Sequence, residues 1–257
     1  MKNFETIGFI GGGRVTRFLL EGWKLGGKMP PGVRVADSSA EVLSALKRDF
    51  PVVAGVSTAE AAASDLVVLA VHPPIMKDVL VAVKPHVAAN ATVLSLAPKF
   101  TVAAIADALG VARVTRLIPN APSVIGKGYN PVAHAGQMDA ETKAALTALF
   151  AVWGEAPEVP EKDLEAYAMI SAMGPTYMWF QWQTLRELGV SFGLDAAAAE
   201  RAILKTVKGA AECLLASGRD PAKVMDMIPV KPLKDDEATI VAAYKAKLTG
   251  LYDKIKV

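Results

Sequence analysis

Six residues constrain this chain more than any others: Gly11-Gly12-Gly13-Arg14-Val15-Thr16, placed directly after the apolar run Ile7–Ile10. A helical pattern, Arg14–Lys24, follows at once. A glycine turn between a strand and a helix opens a dinucleotide-binding βαβ unit. Gly11 and Gly13 occupy the first two positions of G-x-G-x-x-G/A. The first allows the tight turn, and the second lets backbone approach a pyrophosphate. Free N–H groups at the helix start and the helix dipole then favour phosphate. Gly11, Gly12, Gly13, Arg14 and Val15 are therefore the candidate pyrophosphate loop. Thr16 stands in the third glycine position, so helix and strand are expected to pack slightly further apart. A glycine-rich turn without a ligand is the competing reading.

The pattern after this loop sets the fold class. Apolar runs at Val33–Ala36, Leu66–Val71, Thr92–Leu96 and Val114–Ile118 alternate with helical segments, among them Ala40–Phe50, Pro74–Val83 and Val102–Leu109. LVVLAV is uninterrupted, as a strand covered on both faces should be. This alternation predicts an α/β fold with a Rossmann-type, doubly wound parallel sheet. Near Pro157–Pro160 the character changes, and the remainder reads as helix rich in Ala, Leu and Met. The expected division is a dinucleotide-binding domain over 1–158 and an all-helical dimerisation and substrate domain over 159–257.

Composition excludes several classes. The 257 residues are 52% hydrophobic and carry a formal net charge of +2, with acids and bases interspersed. No basic face for nucleic acid is evident. No apolar run approaches the roughly eighteen residues of a membrane span. MKNFETIGFI runs straight into a strand pattern rather than a secretory signal. With one cysteine, Cys213, this points to a cytoplasmic protein. Cys213 lies in the helical AAECLLA, as a buried small hydrophobe rather than a reactive thiol. Three histidines and one cysteine lack metal-ligand spacing, so no metal is expected.

Three further segments fall at strand ends, where open α/β sheets bind ligands. Asp37 follows the second strand, 21 residues after Thr16. An acid there can hold a ribose 2′-hydroxyl and repel a 2′-phosphate, which favours NADH. Ser38 and Ser39 could still donate to a phosphate, so NADPH stays open, and Asp37 could instead cap the next helix. Val71, His72 and Pro73 should lie beside the cofactor. His72 could act as an acid or base, or merely line the groove. Asn120, in Arg116–Pro122 (RLIPNAP), can offer donor and acceptor to a nicotinamide amide or a substrate. A plain turn is the other reading.

IGFIGGGRVT, AVHPP, SLAPKFTV, RLIPNAP with IGKG, and EKDLEAYAMISAMGPTYMWF together resemble the pyrroline-5-carboxylate reductase family over residues 5 to about 228. RLIPNAP is similar to that family's R-x-M-P-N-x-P, and SAMGPTY to its S-G-S-G-P-A-Y. The resemblance implies reduction of a cyclic imine acid to proline with NADPH or NADH, and a homodimer whose helical domains intertwine. It implies that Gly11, Gly13, Arg14 and Val15 hold the pyrophosphate and that Asp37 and Ser38 meet the adenosine ribose. Val71, His72, Pro73, Ala97 and Asn120 would surround the nicotinamide. Ser171, Met173 and Gly174 would lie under the substrate. The family's T-P-G-G-T-T loop binds the substrate carboxylate, and one of its threonines bonds the imine nitrogen. Here Ala238–Ile240 matches, making Thr239 the candidate, with Ser171 and Thr176 as further neutral donors.

The departures are specific. The family's V-K-P is Val71-His72-Pro73. Its A-G is Pro98-Lys99, and its G-S-G-P is Ala172-Met173-Gly174-Pro175. Its P-G-G is replaced by a longer, acidic KPLKDDE loop, Lys231–Glu237. Met169, Met173, Met178, Trp179 and Trp182 are expected to pack in the core or dimer rather than line a pocket. Met173 is the exception, narrowing the substrate site if it points inward. Besides a reductase, two readings stay open: a non-catalytic dinucleotide-sensing protein, and a dehydrogenase for another small amino or hydroxy acid.

Overall fold

The computed structural model describes residues 4–256. Apolar segments form the strands β1 (Thr6–Ile10), β2 (Gly32–Ala36), β3 (Val53–Gly55), β4 (Leu66–Leu69), β5 (Thr92–Ser95) and β6 (Arg113–Leu117). The helices α1 (Arg14–Leu25), α2 (Ala40–Asp49), α3 (Thr58–Ala62), α4 (Met76–Val83) and α5 (Val102–Leu109) connect them. The sheet order is β3-β2-β1-β4-β5-β6 with all pairs parallel, so the doubly wound expectation holds. Every residue of β4 and β5 is buried, which explains their unbroken apolar runs. Gly8 in β1 has no room for a side chain, because a Cβ would sit 1.9 Å from the Ala61 carbonyl oxygen of α3.

The far edge of the sheet lies outside the expected strands. After β7 (Gly128–Tyr129), the short β8 (Val132–His134) pairs antiparallel with β6. α6 (Ala140–Phe150) follows, and β9 (Gly154–Glu155) pairs with β7 in a separate two-stranded ladder. Trp153, just before β9, stacks on Trp23 of α1 and Phe150 of α6 at 4.8 and 5.4 Å. All three rings belong to one buried core under the sheet.

The chain divides into two compact units, and the division lies beyond the expected residue 158. Of the described residues, the first unit comprises 4–173 and 252–256. Packing and charge carry it past 158. Leu164 and Ala168 bury against Ile118 and Ala133, and Glu161 and Glu165 pair with Arg116. This stretch contains α7 (Leu164–Tyr167) and a π-helical turn, Ala168–Ala172.

The second unit, residues 174–251, holds α8 (Gly174–Ser191), α9 (Ala196–Leu215), α10 (Pro221–Met225) and most of α11 (Lys234–Ile255). Arg186 of α8 pairs with Glu200 of α9 at 2.7 Å. The Tyr244 hydroxyl of α11 donates to the Tyr177 carbonyl of α8 at 3.2 Å. Among the described residues of this unit, only Gly174 and Ala199 are buried. Met178 and Trp179 are exposed, while Met169, in the first unit, is buried. Cys213 is half-buried. The KPLKDDE segment is not wholly a loop. Lys234 opens α11, and Asp235, Asp236 and Glu237 form its first turn, where their charge suits the helix dipole.

Candidate active site

The strand order reverses between β1 and β4, and their carboxyl ends diverge there to open a crevice. Gly11 makes the turn with φ +106°, and a Cβ would lie 2.5 Å from the Ala70 carbonyl oxygen. A side chain at Gly11 is thus excluded by both strain and space. A cavity of about 680 Å³ lies beyond this turn. Gly12, Gly13, Arg14 and Val15 form one wall, and Val71, His72 and Pro73 another.

Gly13 is the N-cap of α1 and makes no side-chain cap, and the first turn of α1 carries no acid. A Cβ at Gly13 would touch nothing within 4 Å. The helix start thus faces open space, and an anion fits there. Thr16 is fully buried, and its hydroxyl donates to the Gly11 carbonyl at 2.6 Å. That bond satisfies the polar group that replaces the usual small residue.

Asp37 is fixed from two sides. Its carboxylate accepts from the Gly12 N–H at 2.7 Å and from the Ser39 N–H at 2.8 Å. The cap of α2 is Ser39, whose hydroxyl accepts from Val42, so Asp37 is not the helix cap. Asp37 and Ser38 line a second cavity of about 370 Å³ with Gly11 and Val71. The two cavities thus share the glycine turn and the end of β4.

Ala97 is buried one residue before Pro98, which lines the larger cavity. Asn120 is buried and already committed. Its amide donates to the Ser171 carbonyl, its carbonyl oxygen accepts from Tyr129 N–H at 3.3 Å, and its own N–H donates to Asn130 at 2.8 Å. The structure thus joins two of the expected site residues, Asn120 and Ser171, directly. The Ser171 hydroxyl donates to the Tyr167 carbonyl within its own helix, at 2.8 Å. Met173 closes the π-turn, its N–H donating to the Ala168 carbonyl at 3.1 Å. Thr176 on α8 and Thr239 on α11 belong to the second unit and are exposed.

A charged cluster lies outside the expected site residues. Arg116 of β6 is 1% exposed and pairs with Glu161, at 3.0 Å, and with the buried Glu165. The same carboxylates accept backbone N–H bonds from the loop after β5: Lys99 to Glu165 at 3.3 Å and Val102 to Glu161 at 2.6 Å. A charged residue inside an apolar strand was the signal. Its partners lie 45 and 49 residues away, beyond any local pattern. Among the described residues, no group of three or more His, Cys, Asp or Glu side chains is placed to hold a metal. No helix of the described chain is long and apolar enough to cross a membrane.

An anion-ready helix start at the switch point of a doubly wound sheet places the chain among the dinucleotide-dependent oxidoreductases. Residues 6–99 match the family model described as NADP oxidoreductase coenzyme F420-dependent, and residues 161–232 match pyrroline-5-carboxylate reductase dimerisation. The pyrroline-5-carboxylate reductase of Pseudomonas aeruginosa is 30% identical over 221 residues, 85% of this chain and 81% of that protein. A pyrroline-5-carboxylate reductase structure from Coxiella burnetii has a TM-score of 0.70 at 27% identity, covering 98% of this chain and 95% of the other. A Plasmodium falciparum pyrroline carboxylate reductase with NADP bound shares the fold, with a TM-score of 0.77 at 22% identity and 97% coverage of both chains. The chain belongs to the pyrroline-5-carboxylate reductase family, and it is an NAD(P)-dependent oxidoreductase.

Proposed function

We propose that this protein reduces a cyclic imine carboxylate, with pyrroline-5-carboxylate as the lead substrate and proline as the product, using NADPH or NADH. The observation that carries this reading is the switch-point cavity, built on the glycine turn of a chain 30% identical to a reductase of that name. The bound dinucleotide supplies a hydride from nicotinamide C4 to the imine carbon, and the protein's task is orientation and charge. Gly11, Gly12, Gly13, Arg14 and Val15 hold the pyrophosphate, and Asp37 with Ser38 meets the ribose. Val71, His72, Pro73 and Ala97 border the nicotinamide. Asn120 acts by holding the Ser171 carbonyl in place.

Thr239 hydrogen-bonds the imine nitrogen in this reading, its hydroxyl oxygen accepting from the protonated imine N–H, with Ser171 and Thr176 as further neutral hydroxyls and Met173 shaping the pocket. Residues 159–257 form the dimerisation and substrate region. A second copy of the chain covers the apolar surface of 174–251, and the protein works in the cytoplasm. The test is loss of reduced-nicotinamide absorbance with pyrroline-5-carboxylate. Thr239→Ala should lower kcat/KM by roughly 10- to 100-fold, the worth of a hydrogen bond to a charged group. Tight cofactor binding with no turnover of any cyclic imine would instead identify a sensing protein.

A further inference from the structure

We propose that Lys99 is the residue that recognises the carboxylate of the substrate, an inference that rests on the imine-carboxylate reading above. Arg14 and Arg17 line the glycine-turn end of the large cavity, and Arg17 is committed to Glu21 and Asp49. The segments after β4 and β5 contribute Val71, His72, Pro73, Leu96 and Pro98 to the same lining, and none of these is a lysine or arginine. An anionic substrate on that side needs hydrogen-bond donors or a cation, or its lost hydration is not replaced. Lys99 follows Pro98 directly and is exposed. Its ammonium makes no ion pair or hydrogen bond among the described residues.

The backbone at this position is unusual as well. Lys99 has φ +74°, and among the described residues it is the one non-glycine with a left-handed backbone. Such a conformation persists in a residue with a Cβ only where its surroundings hold it. Here they do. Glu165 accepts the Lys99 N–H and Glu161 accepts the Val102 N–H, and both carboxylates are anchored on buried Arg116. The loop after β5 is clamped at both ends by a charge cluster inside the fold. The clamp presents a lysine where a glycine would be unstrained. A lysine in this strained position fits a role for its ammonium, and the residues after β4 and β5 that line the adjoining cavity supply no lysine or arginine.

The experiment compares pyrroline-5-carboxylate with 1-pyrroline, the same imine without its carboxylate. Lys99→Met should raise KM for pyrroline-5-carboxylate about tenfold or more, as expected for loss of one charge-assisted contact. It should leave kcat near the wild-type value, KM for 1-pyrroline unchanged and the Kd of the dinucleotide unchanged. Lys99→Arg should recover most of the loss. Lys99→Gly should lose substrate affinity while raising Tm by a few degrees, because the backbone strain is relieved. An unchanged KM in Lys99→Met, an equal change for both imines, or a weakened dinucleotide overturns the assignment. Absence of wild-type turnover with pyrroline-5-carboxylate overturns the substrate reading itself, so the two failures are distinguishable.

Discussion

Glu165→Leu tests whether the charge cluster holds the first unit together. The variant removes one of two carboxylates from a guanidinium that is 1% exposed, and it deletes the acceptor of the Lys99 N–H. Breaking a buried ion pair by removing one partner costs about 3–5 kcal/mol, because the remaining charge is stranded. Glu161 is 32% exposed and stays within 3.0 Å of Arg116, which softens the loss. The expected cost is therefore near the lower end, about 3 kcal/mol. At about 2–4 °C per kcal/mol for a chain of this size, Tm should fall by roughly 6–12 °C. Scanning calorimetry at one fixed protein concentration is the assay, since assembly also shifts Tm. Glu165→Gln keeps an acceptor oxygen and should fall about half as far. The double variant Arg116→Met/Glu165→Leu should regain most of the loss, because it strands no charge. A drop below about 2 °C for Glu165→Leu, or a double variant worse than the single one, would refute the reasoning.

Two more outcomes follow from the first unit. Asp37→Ser removes the negative charge fixed by Gly12 and Ser39. It should shift the ratio of NADPH to NADH affinities toward NADPH by roughly tenfold or more, read by fluorescence titration; an unchanged ratio would show that Asp37 only orders the turn. His134 sits at the sheet edge with its Nδ1 2.8 Å from the Thr115 hydroxyl, and burial pushes its pKa below the ordinary histidine range. The unfolded chain therefore takes up this proton first as pH falls. The stability that the neutral ring contributes is full above about pH 6.5 and is lost as pH falls through the lowered folded-state value. His134→Gln should flatten the fall in Tm between about pH 7 and pH 5.

The core of the first unit was legible because its signals are local. The glycine turn, the unbroken LVVLAV run and the helical spacing of Arg14–Lys24 each report a period or a turn within a dozen residues. β8 was not legible, because three residues that cross antiparallel at an edge carry no period of their own. The start of α11 was masked by its charges, which read as a solvated loop and serve instead as a favourable first turn. The same limit hid the structural role of Asn120. Its chemistry suits a ligand, yet the fold spends both ends of the amide on Ser171 and Tyr129. The Arg116 cluster depends on contacts across 45 and 49 residues and emerges only when the chain is folded.

The helical unit leaves Phe192, Leu215 and Val230 at 79%, 82% and 74% exposure in the single chain. Surfaces of this kind are what chaperones and proteases recognise on unassembled subunits. On the proposed cover by a second copy, an orphan subunit would be open to capture or degradation, while a paired one would be hidden from both. The lifetime of the protein in a cell would then depend on how often two subunits meet. A variant that weakens pairing would lower abundance before it altered any catalytic constant.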